Sequence, residues 1–209
     1  LVSSSEGKRY VLQRINHSIF KDVELLQRNI AFVTSHIRAK LIAAGERDVE
    51  RKVLRFISLK DSDSTYYTDG ESYWRMSAYI EDSVTVETVT PESSYCAGKA
   101  FGEFQTMLVD IKEPIGETIP DFHNTPKRLE NLKIAVEKNA SGRAKFVASE
   151  IEFAYSFEKT ARAITDAIAD GTVPLRVSHN DTKLNNVLMD EETRTGLCLI
   201  DLDTVMSGS

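Results

Sequence analysis

The chain has 209 residues, of which 41% are hydrophobic, so it can bury the core of one large domain or of two small ones. Its formal net charge of −6 argues against a general binder of nucleic acid or of anionic membranes, whose footprint would be basic. The sequence contains no apolar run of 18 residues, and its first ten residues lack the apolar core of a signal peptide. The two cysteines, Cys96 and Cys198, are too far apart for a metal motif and indicate a reducing, cytoplasmic setting.

The first part of the chain has the pattern of a small antiparallel sheet. Strands are predicted from β-favouring residues and turn signals at 1–3, Arg9–Asn16, Val53–Leu59, Thr65–Thr68 and Ser72–Ile80. The last two are joined across Asp69-Gly70, which is a strong hairpin signal. Trp74 and Met76 alternate with polar residues along the last strand, so we expect their face of the sheet to be the core.

Helices are predicted in the middle of the chain. Apolar residues at three- and four-residue steps indicate a helix that Asp22 caps and that Ala43-Ala44-Gly45 ends. Two more helices begin at Thr90-Pro91 and Thr125-Pro126, where a capping residue precedes a proline. The apolar residues from Phe146 to Ile168 predict one long helix, which we expect to be a buried spine under the segment that follows it.

The stretch Arg176–Val205 has a polar motif followed by a predicted hairpin. It contains His-Asn-Asp ending at Asp181, with Asn186 five residues further on. Two apolar runs then predict the paired strands, Val187–Met189 and Leu197–Ile200. Asp201 leaves the second strand near the loop that carries Asp181 and Asn186. Two carboxylates and one amide are therefore expected to face one cavity.

Phosphoryl transfer from a nucleotide requires this set of side chains. One carboxylate accepts or orients the proton of the attacking hydroxyl, while an amide oxygen and a second carboxylate hold Mg²⁺. The H-x-D-x-x-x-x-N spacing matches the catalytic loop of protein-kinase-like enzymes. We therefore predict Asp181 as the catalytic base and Asn186 and Asp201 as Mg²⁺ ligands. The alternative is a surface turn before an ordinary hairpin, because His, Asn and Asp all favour turns.

The same residues resemble a known family. The sequence H-N-D-T-K-L-N-N-V-L, followed by I-D-L-D-T-V-M, resembles the aminoglycoside phosphotransferase and choline kinase superfamily, and within it the N-acetylhexosamine 1-kinase branch. Tyr10–Asn16, Tyr73–Ile80 and Ile119–Asn124 also resemble that branch, so the resemblance covers most of the chain. It implies ATP- and Mg²⁺-dependent phosphorylation of a small-molecule hydroxyl, with the anomeric hydroxyl of an N-acetylhexosamine as acceptor.

The resemblance also implies roles outside the motif. The strand position expected to reach the nucleotide phosphates is Gln13, with Arg14 beside it, and alternation allows only one of the two to point there. The segment around Glu81 would be the hinge whose backbone meets the adenine. Lys183 stands two residues after Asp181, where protein Ser/Thr kinases keep a Lys near the transferring phosphoryl group and aminoglycoside kinases commonly have a His. A solvated Lys183 is the alternative.

Three further titratable residues are expected to have minor or structural roles. His179 is expected to hydrogen-bond the loop rather than to carry protons. Glu24 is the one acid of the first helix that could pair with a strand cation, but the helix dipole alone also favours an acid in the first turn. Asp203 would share a face with Asp201 if the chain stays extended there.

These patterns predict an α+β, protein-kinase-like fold of two lobes. A sheet lobe is expected at 1–80, a hinge at 81–82 and a partial helical lobe at 83–209. The chain is expected to be a fragment, without the glycine-rich phosphate loop and the acceptor-binding helices, and inactive by itself. The predicted partner is a small-molecule acceptor, with no nucleic acid and no membrane, and the oligomeric state is not predicted. The alternatives are a sister specificity, such as an aminoglycoside, choline or homoserine kinase, and a non-catalytic kinase-like fragment.

Overall fold

The structure is a computed structural model that describes residues 1–112 and 114–208. Its architecture is α+β, as predicted, with small antiparallel sheets and six α-helices among these residues. The strands are β1 Val2–Ser3, β2 Arg9–Ile15, β3 Tyr66–Thr68, β4 Tyr73–Ala78, β5 Ser83–Thr85, β6 Arg176–Ser178, β7 Val187–Asp190, β8 Gly196–Leu199 and β9 Met206–Gly208. The helices are α1 Val23–Ala43, α2 Val49–Lys52, α3 Pro91–Leu108, α4 Thr125–Lys138, α5 Ala148–Ser156 and α6 Glu158–Ala169.

The chain divides into two compact units. The first comprises Leu1–Ile119 and Arg176–Ser207, and the second comprises Pro120–Leu175 with the C-terminal end. These boundaries differ from the predicted lobes at 1–80 and 83–209, so the lobe division stays a prediction. No helix among residues 1–112 and 114–208 is long and apolar enough to cross a membrane.

The N-terminal sheet has the strand order β1-β2-β4-β3, and its three strand pairs are antiparallel. The predicted hairpin at Asp69-Gly70 is confirmed, and Gly70 has the positive φ of +94° that favours glycine in such a turn. The predicted strand at Val53–Leu59 is wrong, because that segment meets the sheet at a single bridge from Phe56 to Ser77. The strand β3 pairs with Tyr73–Arg75 on the same edge of β4. Only the end of β4 near Ser77 is therefore free to pair with the segment 53–59.

The buried face of β4 is the opposite of the predicted one. Arg75 and Ser77 are 6% and 5% exposed, whereas Trp74 and Met76 are half-buried. Directly paired residues of an antiparallel sheet share a face, so Arg75 lies on the same face as Gln13. Hydropathy misplaced the core here because a buried polar side chain is stabilised by partners elsewhere in the chain, which the local pattern does not contain.

Two helices of the first unit, α1 and α3, begin as predicted, whereas the short helix α2 was not predicted. Asp22 caps α1 by accepting a hydrogen bond from the Leu25 backbone at 2.8 Å, and α1 ends at Ala43, two residues before Gly45 at φ +73°. Thr90 caps α3 in a reciprocal pair with Ser93, with a proline at the first helical position. The apolar stripe of α1 contributes to the core of this unit.

The predicted hairpin is formed by β7 and β8, and β5, which was not predicted, joins it in the order β5-β7-β8. The strand β6 pairs with β9 in a separate two-stranded sheet. Helix α3 packs against β6 and β8. Gly196 is needed at this contact, because a Cβ atom there would lie 2.9 Å from the Cβ atom of Ala100 on α3.

The second unit corrects three predictions. The long helix predicted between Phe146 and Ile168 is a 3-10 turn followed by α5 and α6, which are separated at Phe157. No residue of α4, α5 or α6 is buried, so these helices are not the predicted spine. The start of α4 is one residue earlier than predicted, since the side chain of Asn124 accepts the capping hydrogen bond from Lys127. The spacing of the apolar residues is compatible with one helix or with two. It does not show which of these residues are buried in the folded chain.

Candidate functional site

Asp181 and Asn186 are in direct contact. The loop that carries them runs from β6 into a 3-10 turn, Leu184–Asn186, that precedes β7. Nδ2 of Asn186 donates to the Asp181 backbone carbonyl at 2.9 Å and to its Oδ2 atom at 3.0 Å. Asn186 is only 3% exposed. The motif spacing therefore produces a fixed carboxylate, and the amide oxygen of Asn186 remains the atom that could bind a metal.

Lys183 lies between the two carboxylates of the site. Its Nζ atom is 2.8 Å from Oδ2 of Asp181 and 3.7 Å from Oδ2 of Asp201. Burial alone would raise the pKa of Asp181, but hydrogen bonds from Lys183 and Asn186 outweigh it and lower that pKa. The hydrogen bond to Asp181 raises the pKa of Lys183, so the lysine stays charged. The structure thus brings Asp181, Lys183, Asn186 and Asp201 together.

The buried ring of His179 connects the loop to the end of β8 through two hydrogen bonds. The ring is 1% exposed and meets Phe101 and Phe104 of α3 edge-on, with centroid distances of 5.3 and 5.9 Å. The Asp181 backbone N–H donates to Nδ1 at 3.3 Å, so Nε2 carries the proton and donates to the Ile200 carbonyl at 2.9 Å. Burial lowers the pKa of His179, which favours this neutral form. The contacts are those of a residue that holds loop geometry.

Asn180, between His179 and Asp181, has a backbone conformation that favours glycine. Its φ of +61° lies in the left-handed region, where glycine is unstrained and asparagine is tolerated. Its Nδ2 group donates to the carbonyls of Ser178, Thr204 and Met206 at 3.0 to 3.1 Å. The asparagine therefore keeps the backbone shape and adds hydrogen bonds that hold the loop to Thr204 and Met206.

The chain does not stay extended after Asp201. Asp201 has φ +59° and ψ 53°, and the next three residues, Leu202–Thr204, form a 3-10 turn; we call Asp201 and these residues the Asp201 turn. Asp203 consequently does not continue a strand face with Asp201. Its Oδ1 atom instead lies 2.5 Å from Nη1 of Arg75. Arg75 was not predicted as a site residue, although an arginine between Trp74 and Met76 in a predicted strand was a visible signal.

Gln13 and Arg14 lie on opposite faces of the N-terminal sheet, as alternation requires. Gln13 is paired with Arg75 in register, and its Oε1 atom accepts a hydrogen bond from Nε of Arg75 at 3.2 Å. Arg14 is paired with Trp74 on the other face. The structure therefore brings Gln13, but not Arg14, to the face that contacts Asp203. Asp203 pairs with Arg75 of β4, while Glu24, the acid considered as a partner of a cation on β2, is exposed in the first turn of α1.

The predicted hinge segment at 81–82 is held by two arginines, Arg9 and Arg51, which were not predicted as site residues. The Glu81 carboxylate pairs with Arg9, and its backbone carbonyl accepts from Nε of Arg51 at 3.2 Å. Nη2 of Arg51 also donates to the Asp82 carbonyl at 3.0 Å and lies 2.9 Å from Oδ2 of Asp190. Hydrogen bonds from the Thr193 backbone and from Arg51 lower the pKa of Asp190 to about 2. Arg51 therefore ties the hinge to β7.

The donor set suits Mg²⁺ bound with a nucleotide. The structure, over the residues that it describes, contains no group of three or more His, Cys, Asp or Glu side chains arranged to hold a metal by themselves. Mg²⁺ typically keeps several waters and binds through one or two carboxylates together with substrate phosphates. Asp201 is half-exposed and the amide oxygen of Asn186 is a hard donor, so these two residues fit a metal that the phosphates help to hold.

The sequence was compared with models of known protein families. The model described as the phosphotransferase enzyme family matches residues 1–209. The α+β architecture is consistent with the kinase-like fold of that family, and the superfamily indicated by the motifs is confirmed. The N-acetylhexosamine 1-kinase branch stays a prediction. The chain belongs to the phosphotransferase enzyme family.

Proposed function

We propose that this phosphotransferase transfers the terminal phosphoryl group of ATP to a hydroxyl of a small molecule in an Mg²⁺-dependent reaction. The observation that supports this most directly is the contact of Lys183 with both Asp181 and Asp201, beside the amide of Asn186. Phosphoryl transfer depends mainly on positioning and charge neutralisation. These require a proton acceptor, oxygen ligands for a metal and a fixed positive charge, and the proposed site has two such ligands.

Asp181 is the proposed base. Its Oδ2 atom is held by Asn186 and Lys183, so the carboxylate has a defined direction before any acceptor binds. Because its pKa is lowered, Asp181 is ionised near neutral pH and orients the acceptor hydroxyl, accepting its proton as the bond to phosphorus forms. Lys183 stays protonated and places a positive charge next to the reacting oxygen atoms.

Asn186 and Asp201 are the proposed Mg²⁺ ligands, and the metal would neutralise the phosphate charge when bound. On the sheet side, Gln13 is the proposed neighbour of the nucleotide phosphates, because it shares a face with the pair that reaches the Asp201 turn. Arg14 is not retained in this role, since it lies on the other face. The backbone around Glu81 is the proposed adenine contact.

The proposed acceptor is an N-acetylhexosamine, phosphorylated at its anomeric hydroxyl. The support is the similarity of four separate stretches, including the catalytic loop, to the N-acetylhexosamine 1-kinase branch. The runner-up is a sister specificity, for which the same loop would serve. The cytoplasmic setting is also part of the proposal, and it is supported by the two cysteines, which are unpaired.

The metal assignment is tested by titration calorimetry on the full-length protein. We expect Asp201→Ala to abolish the Mg²⁺-dependent part of nucleotide binding, because one of the two hard oxygen donors is lost. Asp166→Asn, an exposed carboxylate on α6, is the matched control and should leave that binding unchanged. An Mg²⁺-ATP affinity equal to that of the parent protein in Asp201→Ala would remove Asp201 from the metal site.

The acceptor is tested with labelled ATP and a panel of N-acetylhexosamines, aminoglycosides, choline and homoserine. We expect product first with the N-acetylhexosamines, with the phosphate on the anomeric oxygen. Activity on another acceptor together with none on the amino sugars would replace the proposed specificity with the sister one. Absence of transfer to every acceptor, with Mg²⁺-ATP still bound, would favour the non-catalytic alternative.

A further inference from the structure

Arg75 is a buried cation that takes no direct part in the proposed phosphoryl transfer. Its side chain on β4 is 5% exposed and lies on the face of the sheet that Gln13 shares. Nε donates to Oε1 of Gln13 at 3.2 Å, and the guanidinium carbon lies 5.3 Å from the centre of the Phe56 ring. A guanidinium so enclosed depends on the protein, rather than on water, to balance its charge.

Asp203 supplies that balance. Its Oδ1 atom lies 2.5 Å from Nη1 of Arg75, and its own side chain is 15% exposed. Among the ion pairs in the part of the chain that the structure describes, this pair has the least exposed side chains. Because each charge would be left without compensation if the other were removed, the pair fixes Asp203 relative to β4.

Fixing Asp203 fixes the Asp201 turn. The Asp203 carbonyl accepts a hydrogen bond from Thr118 Oγ1 at 2.8 Å, and Thr204 Oγ1 donates to the His179 carbonyl at 2.7 Å. The side chain of Asp201 is itself 47% exposed, with an ion-pair contact to Lys183 at 3.7 Å. The direction of its carboxylate is therefore set mainly by the backbone of the turn, which the Arg75–Asp203 pair anchors.

We propose that Arg75 is a positioning residue for the metal site: through its ion pair with Asp203 it holds the Asp201 carboxylate in the orientation that binds Mg²⁺. This inference rests on the proposed function, because it takes Asp201 as a metal ligand. The same guanidinium also bonds to Gln13, so it links the sheet face proposed to meet the phosphates with the residue proposed to hold the metal. Groups that orient a metal ligand typically change metal affinity by roughly 10- to 100-fold when they are altered.

The test compares Asp203→Asn with Glu50→Gln. Asp203→Asn keeps the side-chain shape and removes the charge that Arg75 needs. Glu50→Gln removes the carboxylate that pairs with Arg38 and Arg55, so it breaks arginine–carboxylate contacts that include no residue of the Asp201 turn. Calorimetric titrations of the natural protein with a non-hydrolysable ATP analogue, with Mg²⁺ and with a chelator, separate metal-dependent from metal-independent binding.

We expect Asp203→Asn to weaken the apparent Mg²⁺ affinity of the nucleotide complex by about tenfold while the affinity for metal-free nucleotide stays unchanged. Glu50→Gln should change neither. Arg75→Lys retains the charge but cannot bond to Gln13 and Asp203 with one planar group, so it should lie between the parent and Asp203→Asn. This variant gives the answer if Asp203→Asn does not fold.

The proposal is overturned if folded Asp203→Asn, or folded Arg75→Lys in its place, binds Mg²⁺ within twofold of the parent protein. It is also overturned if metal-free nucleotide binding falls in parallel, because Arg75 would then support the sheet and not the metal. A parent protein without any Mg²⁺-dependent binding would contradict the proposed function itself, which is a different result.

Discussion

The two compact units use their side chains differently. In the first unit Leu26, Leu108 and Val187 are 0 to 1% exposed, and the same unit contains the loop with Asp181. In the second unit, residues 120–175 include no buried residue, and Phe146 and Phe153 are 73% and 66% exposed. Close packing restricts side chains to one arrangement. The candidate site therefore lies in the unit whose core can hold its residues in place. The difference predicts that equivalent substitutions have unequal effects in the two units.

The largest expected difference concerns catalysis. Asp181→Asn keeps the shape of the side chain but removes the proton acceptor, so turnover of the natural protein should fall by about a hundredfold or more while ATP affinity changes little. Asp166→Asn, on α6 of the second unit, should leave turnover unchanged. Steady-state kinetics with calorimetry would measure both. Near-normal turnover in Asp181→Asn would remove this residue from the role of base.

The next difference concerns core packing. Leu108 on α3 is 1% exposed, so Leu108→Ala should lower the free energy of unfolding by about 2–5 kcal/mol. Ile164 on α6 is 53% exposed, and Ile164→Ala should cost less than about 1 kcal/mol. Urea denaturation of the two variants would compare them. Equal losses would mean that the second unit has a core that the structure does not show.

A smaller difference concerns two asparagines with positive φ. Glycine accepts that backbone shape, so an Asn→Gly substitution mainly removes side-chain hydrogen bonds. Asn180→Gly loses the bonds to three backbone carbonyls and should cost about 1–2 kcal/mol. Asn139→Gly, at the end of α4, loses one bond from the Ala144 backbone and should cost about 0.5 kcal/mol. The comparison fails if thermal unfolding ranks the two variants in the reverse order.

The smallest expected effect is the pH dependence from His179. Burial lowers its pKa in the folded state, so folding favours the neutral ring. The stability from this ring is fully present above the unfolded histidine pKa of about 6.5 and is lost as pH falls from there through the folded pKa. Unfolding free energy should therefore fall as the pH is lowered from 7.5 to 5.5.

The control for this prediction is a matched pair of histidine substitutions. His179→Gln should remove that share of the pH dependence, whereas His123→Gln, at an exposed position of the second unit, should retain it. Denaturation curves at the two pH values would measure the change in each variant. An unchanged pH dependence in His179→Gln would mean that the ring is not held neutral by burial.

Much of the local structure and the candidate site could be predicted from neighbouring residues. The cap at Asp22, the turn at Asp69-Gly70 and the hairpin after Asn186 depend on residues within a few positions of each other. The spacing of Asp181 and Asn186 is also local, because their contact spans five residues. Local backbone preferences are strong enough at these places that the sequence by itself determined them.

Only the tertiary structure decided which face of β4 is buried and what the buried charges contact. Arg75 and Asp203 are 128 residues apart, and Arg51 reaches Asp190 across 139. Hydropathy alone predicts that these charged side chains are exposed to solvent. The long predicted helix is divided at Phe157, and the spacing of its apolar residues does not indicate this break. The physical reason is that a charge can be buried when a partner offsets its lost hydration, and the partner's position is a property of the folded chain rather than of the local sequence.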